Sequence, residues 1–238
     1  MKLDLLAFSA HPDDVELSCA GTIIKHVTLG KKAGIIDLTH GELGTRGTPE
    51  IRDAEAAAAT KVMGVHVREN LNMRDGFFQN DEEHQLKVIT MLRKYQPEIV
   101  VANAVVDRHP DHGRAAELVR EACFLSGLKK IETKIDDQSQ EPWRPRALYH
   151  YLQDMWLEPD VLIDISGYWE KRMEAVMCFR SQFYNPNSKE PVTYISTPEF
   201  LESLKYRAQT LGRMIGVDYA ENFTTTRKTG VDHFFVLK

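Results

Sequence analysis

The stretch LDLLAFSAHPDDVELSCAGTIIKHVTLG, residues 3–30, holds one complete structural unit. Its first seven residues are mostly apolar and of strand length. Pro12 pushes the residue before it out of the α region, so the strand ends by His11. From Asp14 onward Val15, Cys19, Ile23 and Val27 recur every four residues and mark one helical face. Gly30 suits the close of that helix, because glycine takes the left-handed backbone there without strain.

Working outward, the same unit returns. Residues 34–39 (GIIDLT) predict a second strand. Thr48 followed by Pro49 predicts a helix cap and a first helical residue, and the alanine-rich run carries that helix to Met63, with Gly64 ending it. Further strands are expected at 65–71, 98–103, 147–151, 161–165 and 233–237, and further helices at 82–95, 113–126, 167–180 and 198–215. Strands alternating with helices predict an α/β fold, Rossmann-like, with a mostly parallel sheet covered by helices on both faces. Residues 129–146 are dense in charge and read as a surface loop. Residues 181–198 carry three prolines and little periodicity, a length of loop that compact domains keep for functional excursions. No internal repeat divides the chain, so residues 1–238 are expected to form a single domain.

Composition narrows the function. Thirty Lys and Arg against 35 Asp and Glu give a net charge of −5, without the basic excess that a duplex nucleic-acid binder carries. No apolar run approaches the length of a membrane span, and the N-terminus is too short and wrongly flanked for a signal peptide. Cys19, Cys123 and Cys178 are widely spaced and contain no CxxC pair, so neither a disulfide framework nor a cysteine zinc site is indicated. A reducing cytoplasm is the expected compartment.

In an open α/β sheet, ligands bind beyond the carboxyl ends of the strands. Two polar clusters fall there: Ala10-His11-Pro12-Asp13-Asp14 after the first strand, and Arg108-His109-Pro110-Asp111-His112 after residues 98–103. His11, Asp14 and His112 are candidate ligands for one divalent ion, a set that keeps a coordination position open as catalytic sites do. Asp13, His109 and Asp111 would then surround the open position, which is a hydrolase inventory. Asp13, Asp14 and Asp111 also suit plain helix capping, where carboxylates are favoured. His26, His40, His66, His84, His150 and His233 read as surface or packing residues. The ligand set would accept Zn²⁺, Fe²⁺, Mn²⁺ or Co²⁺. The loop 41–47 (GELGTRG) lacks the GxGxxG spacing of a dinucleotide site; it is either a plain connection or a wall of the site. In the second case Arg46 and Arg108 are candidates for substrate carboxylates, which bidentate guanidinium contacts suit.

AHPDD at 10–14, TRGTPEIR at 45–52 and DRHPDH at 107–112 resemble the PIG-L/LmbE family of zinc-dependent N-acetyl-sugar deacetylases. The likeness continues through SQF at 181–183 and GVDYAE at 216–221. Within the family the chain is most similar to the bacillithiol-pathway branch, which deacetylates N-acetylglucosaminyl malate. The resemblance implies Zn²⁺ on His11, Asp14 and His112, with Asp13 as general base. It implies His109 as the group that stabilises the oxyanion or protonates the departing amine, oriented by Asp111. Arg52 matches an arginine that holds sugar hydroxyls, and Tyr194 a mobile tyrosine near the carbonyl. A homo-oligomer acting on a small-molecule N-acetylglucosaminyl substrate is implied as well.

Overall fold

The computed structural model describes residues 1–236. Among the described residues, nine strands and six α-helices follow in chain order: β1 (Leu5–Ser9), α1 (Asp14–Thr28), β2 (Ala33–Asp37), α2 (Pro49–Met63), β3 (Val67–Asn70), α3 (Glu82–Tyr95), β4 (Ile99–Ala102), α4 (Pro110–Leu125), β5 (Lys134–Ile135), β6 (Gln138–Ser139), β7 (Ala147–Tyr151), β8 (Val161–Asp164), α5 (Trp169–Val176), α6 (Pro198–Met214) and β9 (Ala220–Thr224). Seven strands form one sheet in the order β3-β2-β1-β4-β7-β9-β8. The first five of these run parallel, and β9 lies antiparallel to both of its neighbours.

β1 is buried along its whole length, because both faces of the sheet are covered. Its alternation sorts the core: Leu6 and Phe8 pack with α3 and α4, while Leu5 and Ala7 pack with α1. α2, α5 and α6 extend the second layer through Ala59, Val176 and Leu204. The strand order turns about β1 and β4, since β2 and β3 lie to one side and β7 to the other. That switch point is where an α/β sheet opens a crevice, and both polar clusters fall beside it.

Three expectations are corrected. The strand expected at 233–237 is absent over its described part: Phe234–Val236 is a 3₁₀ turn, and position 237 lies outside the described residues. Phe234 and Phe235 are almost fully exposed, so the apolar run has no neighbour to pair with. The missing strand is β9 instead. The expected 129–146 loop carries the small β5–β6 hairpin, turned by Asp136 and Asp137 at positive φ. The helix expected at 167–180 begins as a 3₁₀ turn at Ser166–Tyr168 and ends at Val176.

α1 is broken at Cys19 (φ −145°, ψ 17°), which frees main-chain donors inside a buried helix. Glu221 of β9 meets them: its carboxylate accepts from the Gly21 N–H at 2.9 Å and the Thr22 N–H at 2.6 Å. Arg172 of α5 balances the charge at 3.0 Å.

Candidate functional site

Each cluster is a tight turn between a strand and a helix N-terminus. The His11 carbonyl accepts from the Asp14 N–H at 3.3 Å, and the His109 carbonyl from the His112 N–H at 3.1 Å. The fourth residue of each turn thus enters the first turn of α1 or α4. Asp13 caps α1 with φ 122°, a conformation that costs a non-glycine residue about 1–3 kcal/mol and collects at functional sites. Arg52 braces it, donating to the Pro12 carbonyl at 2.6 Å and lying 3.3 Å from Asp13 Oδ2. Gly41 is needed beside it: at φ 65°, a Cβ there would sit 1.8 Å from the Arg52 guanidinium.

His11, Asp14 and His112 are buried together. Asp14 lies between the rings, with Oδ2 3.6 Å from His11 Nδ1 and Oδ1 3.1 Å from His112 Nε2. The two outer nitrogens meet carboxylates. His112 Nδ1 is 2.7 Å from Asp107, and His11 Nε2 is 3.1 Å from Asp75 and 3.4 Å from Asp111. Asp14 is also held by the Asn103 amide at 2.9 Å, the His11 N–H at 3.0 Å and the Gln153 amide at 3.1 Å. Among the described residues, two trios offer ligand atoms close enough to share an ion: His11 with His109 and His112, and His11 with Asp75 and Asp111.

His109 caps α4 and stands over the other rings, with centroids 4.6 Å from His11 and 5.3 Å from His112. Its Nδ1 accepts the Asp111 N–H at 3.3 Å, which leaves Nε2 to carry the ring proton. Asp111 therefore meets His109 through its main chain. The Asp111 carboxylate serves Arg114 at 2.6 Å, the Gly76 N–H at 2.8 Å and His11.

Electrostatics separates the adjacent acids. Burial and the Asp14 charge push the Asp13 carboxyl up to about 7 against the pull of Arg52. Burial acts on Asp14 in the same sense, yet His112 and His11 hold it well below the usual carboxylate range. Burial and the neighbouring His11 and His112 lower His109. One acid of the pair is thus poised to exchange a proton near neutrality, and the other stays an anion.

The expected substrate residues divide. Arg46 is buried, with Nε on the Ser181 carbonyl at 2.7 Å and a terminal nitrogen on Ser188 Oγ at 3.0 Å, beside Glu190. Its fork fastens the 181–191 segment. Arg52 lies against Asp13. Arg108 and Tyr194 meet at the rim, the guanidinium 4.5 Å from the ring centre, and both bond Asp154 at 2.5 and 3.0 Å.

Asp75, Asn103 and Gln153 were missed by sequence reasoning, and Asp107 stands in a motif without an assigned role. Asp107 had a signal, since it lies five residues before His112 in DRHPDH. Asp75 had none. It comes from the loop after β3 and is held at the site by the 41–47 loop, where Leu43 donates its N–H to the carboxylate at 2.9 Å and Glu42 accepts the Asp75 N–H at 2.8 Å.

A model of the PIG-L family, described as GlcNAc-PI de-N-acetylase, matches residues 6–123. A conserved protein of Thermus thermophilus, of known crystal structure, is 36% identical with a TM-score of 0.86, covering 96% of this chain and 97% of that one. Among curated relatives, the diacetylchitobiose deacetylase of Thermococcus kodakarensis is 28% identical over 91% of this chain and 80% of its own length. The 4-oxalmesaconate hydratase of Pseudomonas putida is 26% identical over 74% and 73%. A probable N-acetyl-alpha-D-glucosaminyl L-malate deacetylase of Bacillus anthracis is 25% identical over 73% and 78%.

Proposed function

Because the chain belongs to the PIG-L family, we propose that it hydrolyses the acetamide of an N-acetylglucosamine conjugate, releasing acetate and the free amine. The observation that carries the reading is Asp13: a strained, buried carboxyl raised to about 7, adjacent in sequence to an acid held as an anion between two imidazoles. A helix cap needs neither the strain nor the burial.

The donor set fits a divalent ion. Each imidazole gives its N–H to a carboxylate, so His11 Nδ1 and His112 Nε2 keep their lone pairs toward Asp14. His11, Asp14 and His112 would hold the ion, Zn²⁺ in our reading, which when bound supplies Lewis acidity toward the amide carbonyl and the attacking water. The chain's own groups do the rest. Asp13 Oδ1, the oxygen away from Arg52, takes the proton of the attacking water and returns it toward the amine nitrogen. His109 donates from Nε2 toward the charge that develops on the acyl oxygen. The N-termini of α1 and α4 face the same point and favour negative charge there. Arg52 would hold sugar hydroxyls and Tyr194 would stand near the carbonyl, the roles the resemblance implies for them.

Within this class we favour N-acetylglucosaminyl malate. We assign its carboxylates to Arg108, half exposed at the rim beside Asp154, because guanidinium forks suit carboxylates. The test is a panel of N-acetylglucosaminyl malate, diacetylchitobiose and N-acetylglucosamine offered to Zn²⁺-loaded protein, with amine and acetate both measured. Equimolar amine and acetate, fastest from the malate glycoside, is expected. Faster release from diacetylchitobiose would move the substrate while keeping the chemistry. Hydration of 4-oxalmesaconate with no acetate from any sugar would overturn the reading.

A further inference from the structure

We propose that Asp107 and Asp75 are positioning residues that fix which nitrogen His112 and His11 turn toward a bound divalent ion. The proposal rests on the ligand set read above.

The two carboxylates share one design. Each commits one oxygen to main-chain N–H groups and the other to an imidazole. Asp107 Oδ1 accepts from the N–H groups of Arg108 at 2.9 Å, Asp154 at 3.3 Å and Met155 at 2.9 Å, while Oδ2 meets His112 Nδ1 at 2.7 Å. Asp75 Oδ2 accepts from the Leu43 N–H at 2.9 Å, while Oδ1 meets His11 Nε2 at 3.1 Å. Both side chains are buried, 1% and 7% exposed, so water does not compete for these oxygens.

A neutral imidazole has one N–H. A fixed acceptor at one nitrogen holds the proton there and aims the lone pair from the other. Here the acceptors sit at Nδ1 of His112 and at Nε2 of His11, so the rings present opposite nitrogens, and both point at Asp14. Asp107 lies five residues from its imidazole, whereas Asp75 reaches His11 from 64 residues away. The contacts of Asp107 also reach the rim, since Asp154 bonds Arg108 and Tyr194.

An amide separates this role from a merely structural one. In Asp107→Asn the amide oxygen must take the side facing three N–H groups, which turns the NH₂ toward His112 Nδ1. The ring then carries its proton on Nε2, where the lone pair is needed. Asp75→Asn turns its NH₂ toward His11 Nε2 in the same way, with Asp111 Oδ2 at 3.4 Å left as the competing acceptor there. Zn²⁺ affinity measured by competition with a chromophoric chelator is expected to fall roughly 10- to 100-fold in Asp107→Ala and Asp75→Ala. The asparagine variants are expected to lose at least as much, although they keep the volume and melt near the parent temperature. Cobalt absorption spectra of the same variants should change shape, as ligand rotation requires. The exposed α3 cap variant Asp81→Ser should bind like the parent. Asparagine variants that bind Zn²⁺ within about threefold of a metal-binding parent, with parent cobalt spectra, would overturn the positioning role alone. A parent that takes up no divalent ion would overturn the ligand set beneath it.

Discussion

The two turns that build the site spell nearly the same letters, His-Pro-Asp-Asp at 11–14 and His-Pro-Asp-His at 109–112, and use them differently. In both, the carbonyl of the histidine accepts from the residue three positions on. In the first, the helix begins only at Asp14, and the capping residue Asp13 is forced to φ 122°. In the second, the helix begins at Pro110 with His109 as an ordinary extended cap at φ −83°. The shifted helix start decides the roles. The leading histidine faces Asp14 in the first turn and only overlooks the site in the second. The third letter is a poised acid in the first and a brace for His11 and Arg114 in the second. The fourth letters, Asp14 and His112, keep a common part as candidate ligands, while the first and third letters change theirs with the helix start.

The sharpest way to break this contrast is to remove the leading histidines. His11→Ala is expected to lose bound metal and with it all activity above background, while His109→Ala keeps metal and loses rate by about 10²-fold, the low end for one proton donor. Elemental analysis beside turnover decides, and full metal in His11→Ala would end the ligand reading. The third letters come next. Asp13→Asn should keep metal and fold while kcat falls about 10²- to 10⁴-fold, since an amide cannot take a proton. Asp111→Asn should do the reverse, weakening metal binding roughly tenfold through His11 with a smaller effect on rate at saturating metal. Near-parental turnover in Asp13→Asn would make Asp13 a cap.

The histidines of the second turn also differ in the sign of their pH dependence. Burial would lower His112, but Asp14 and Asp107 carry it up to about 9; burial and the neighbouring rings lower His109. In metal-free protein the stabilisation from charged His112 is complete below its ordinary value of 6.5 and is lost as pH rises through about 9. His109 has the opposite sign, costing stability as pH falls below its ordinary value. Melting temperature should therefore fall from pH 6.5 to 9 by about 5 °C, at roughly 2–4 °C per kcal/mol for a domain of this size. His112→Gln should flatten that slope and His109→Gln should leave it. Zn²⁺ affinity should rise across the same window, because the ligand must be neutral. An unchanged slope in His112→Gln would refute the assignment.

The last contrast belongs to the residue ahead of each histidine. Ala10 is fully buried, whereas Arg108 is at the rim. Arg108→Ala should leave N-acetylglucosamine turnover intact and cost the malate glycoside about 1.5–3 kcal/mol in kcat/KM. Equal losses on both would remove Arg108 from recognition.

What the sequence made legible follows from burial. β1 and β4 are covered on both faces and read as apolar runs, so the sheet centre and both turns were plain. β9 was not, because AENFT places Glu221 and Asn222 inside the protein, and the carboxylate of Glu221 has partners that only the fold provides. Residues 233–236 misled in the opposite way, apolar in letters and exposed in fact. The candidate ligands were legible because they sit next to prolines at strand ends. Their supporting carboxylates come partly from loops, and Asp75 depends on a contact with Leu43 that no local pattern encodes.

Glu221 also bears on the order in which the protein is made. The acceptor for the Gly21 N–H is 200 residues further along the chain. A nascent chain that has emerged through α4 already carries both turns, yet α1 still has two buried donors without an acceptor. Synthesis thus supplies the helix of Asp14 first and its central fastening 200 residues later. A chain halted before β9 is left with a loose α1 under an otherwise complete set of ligands.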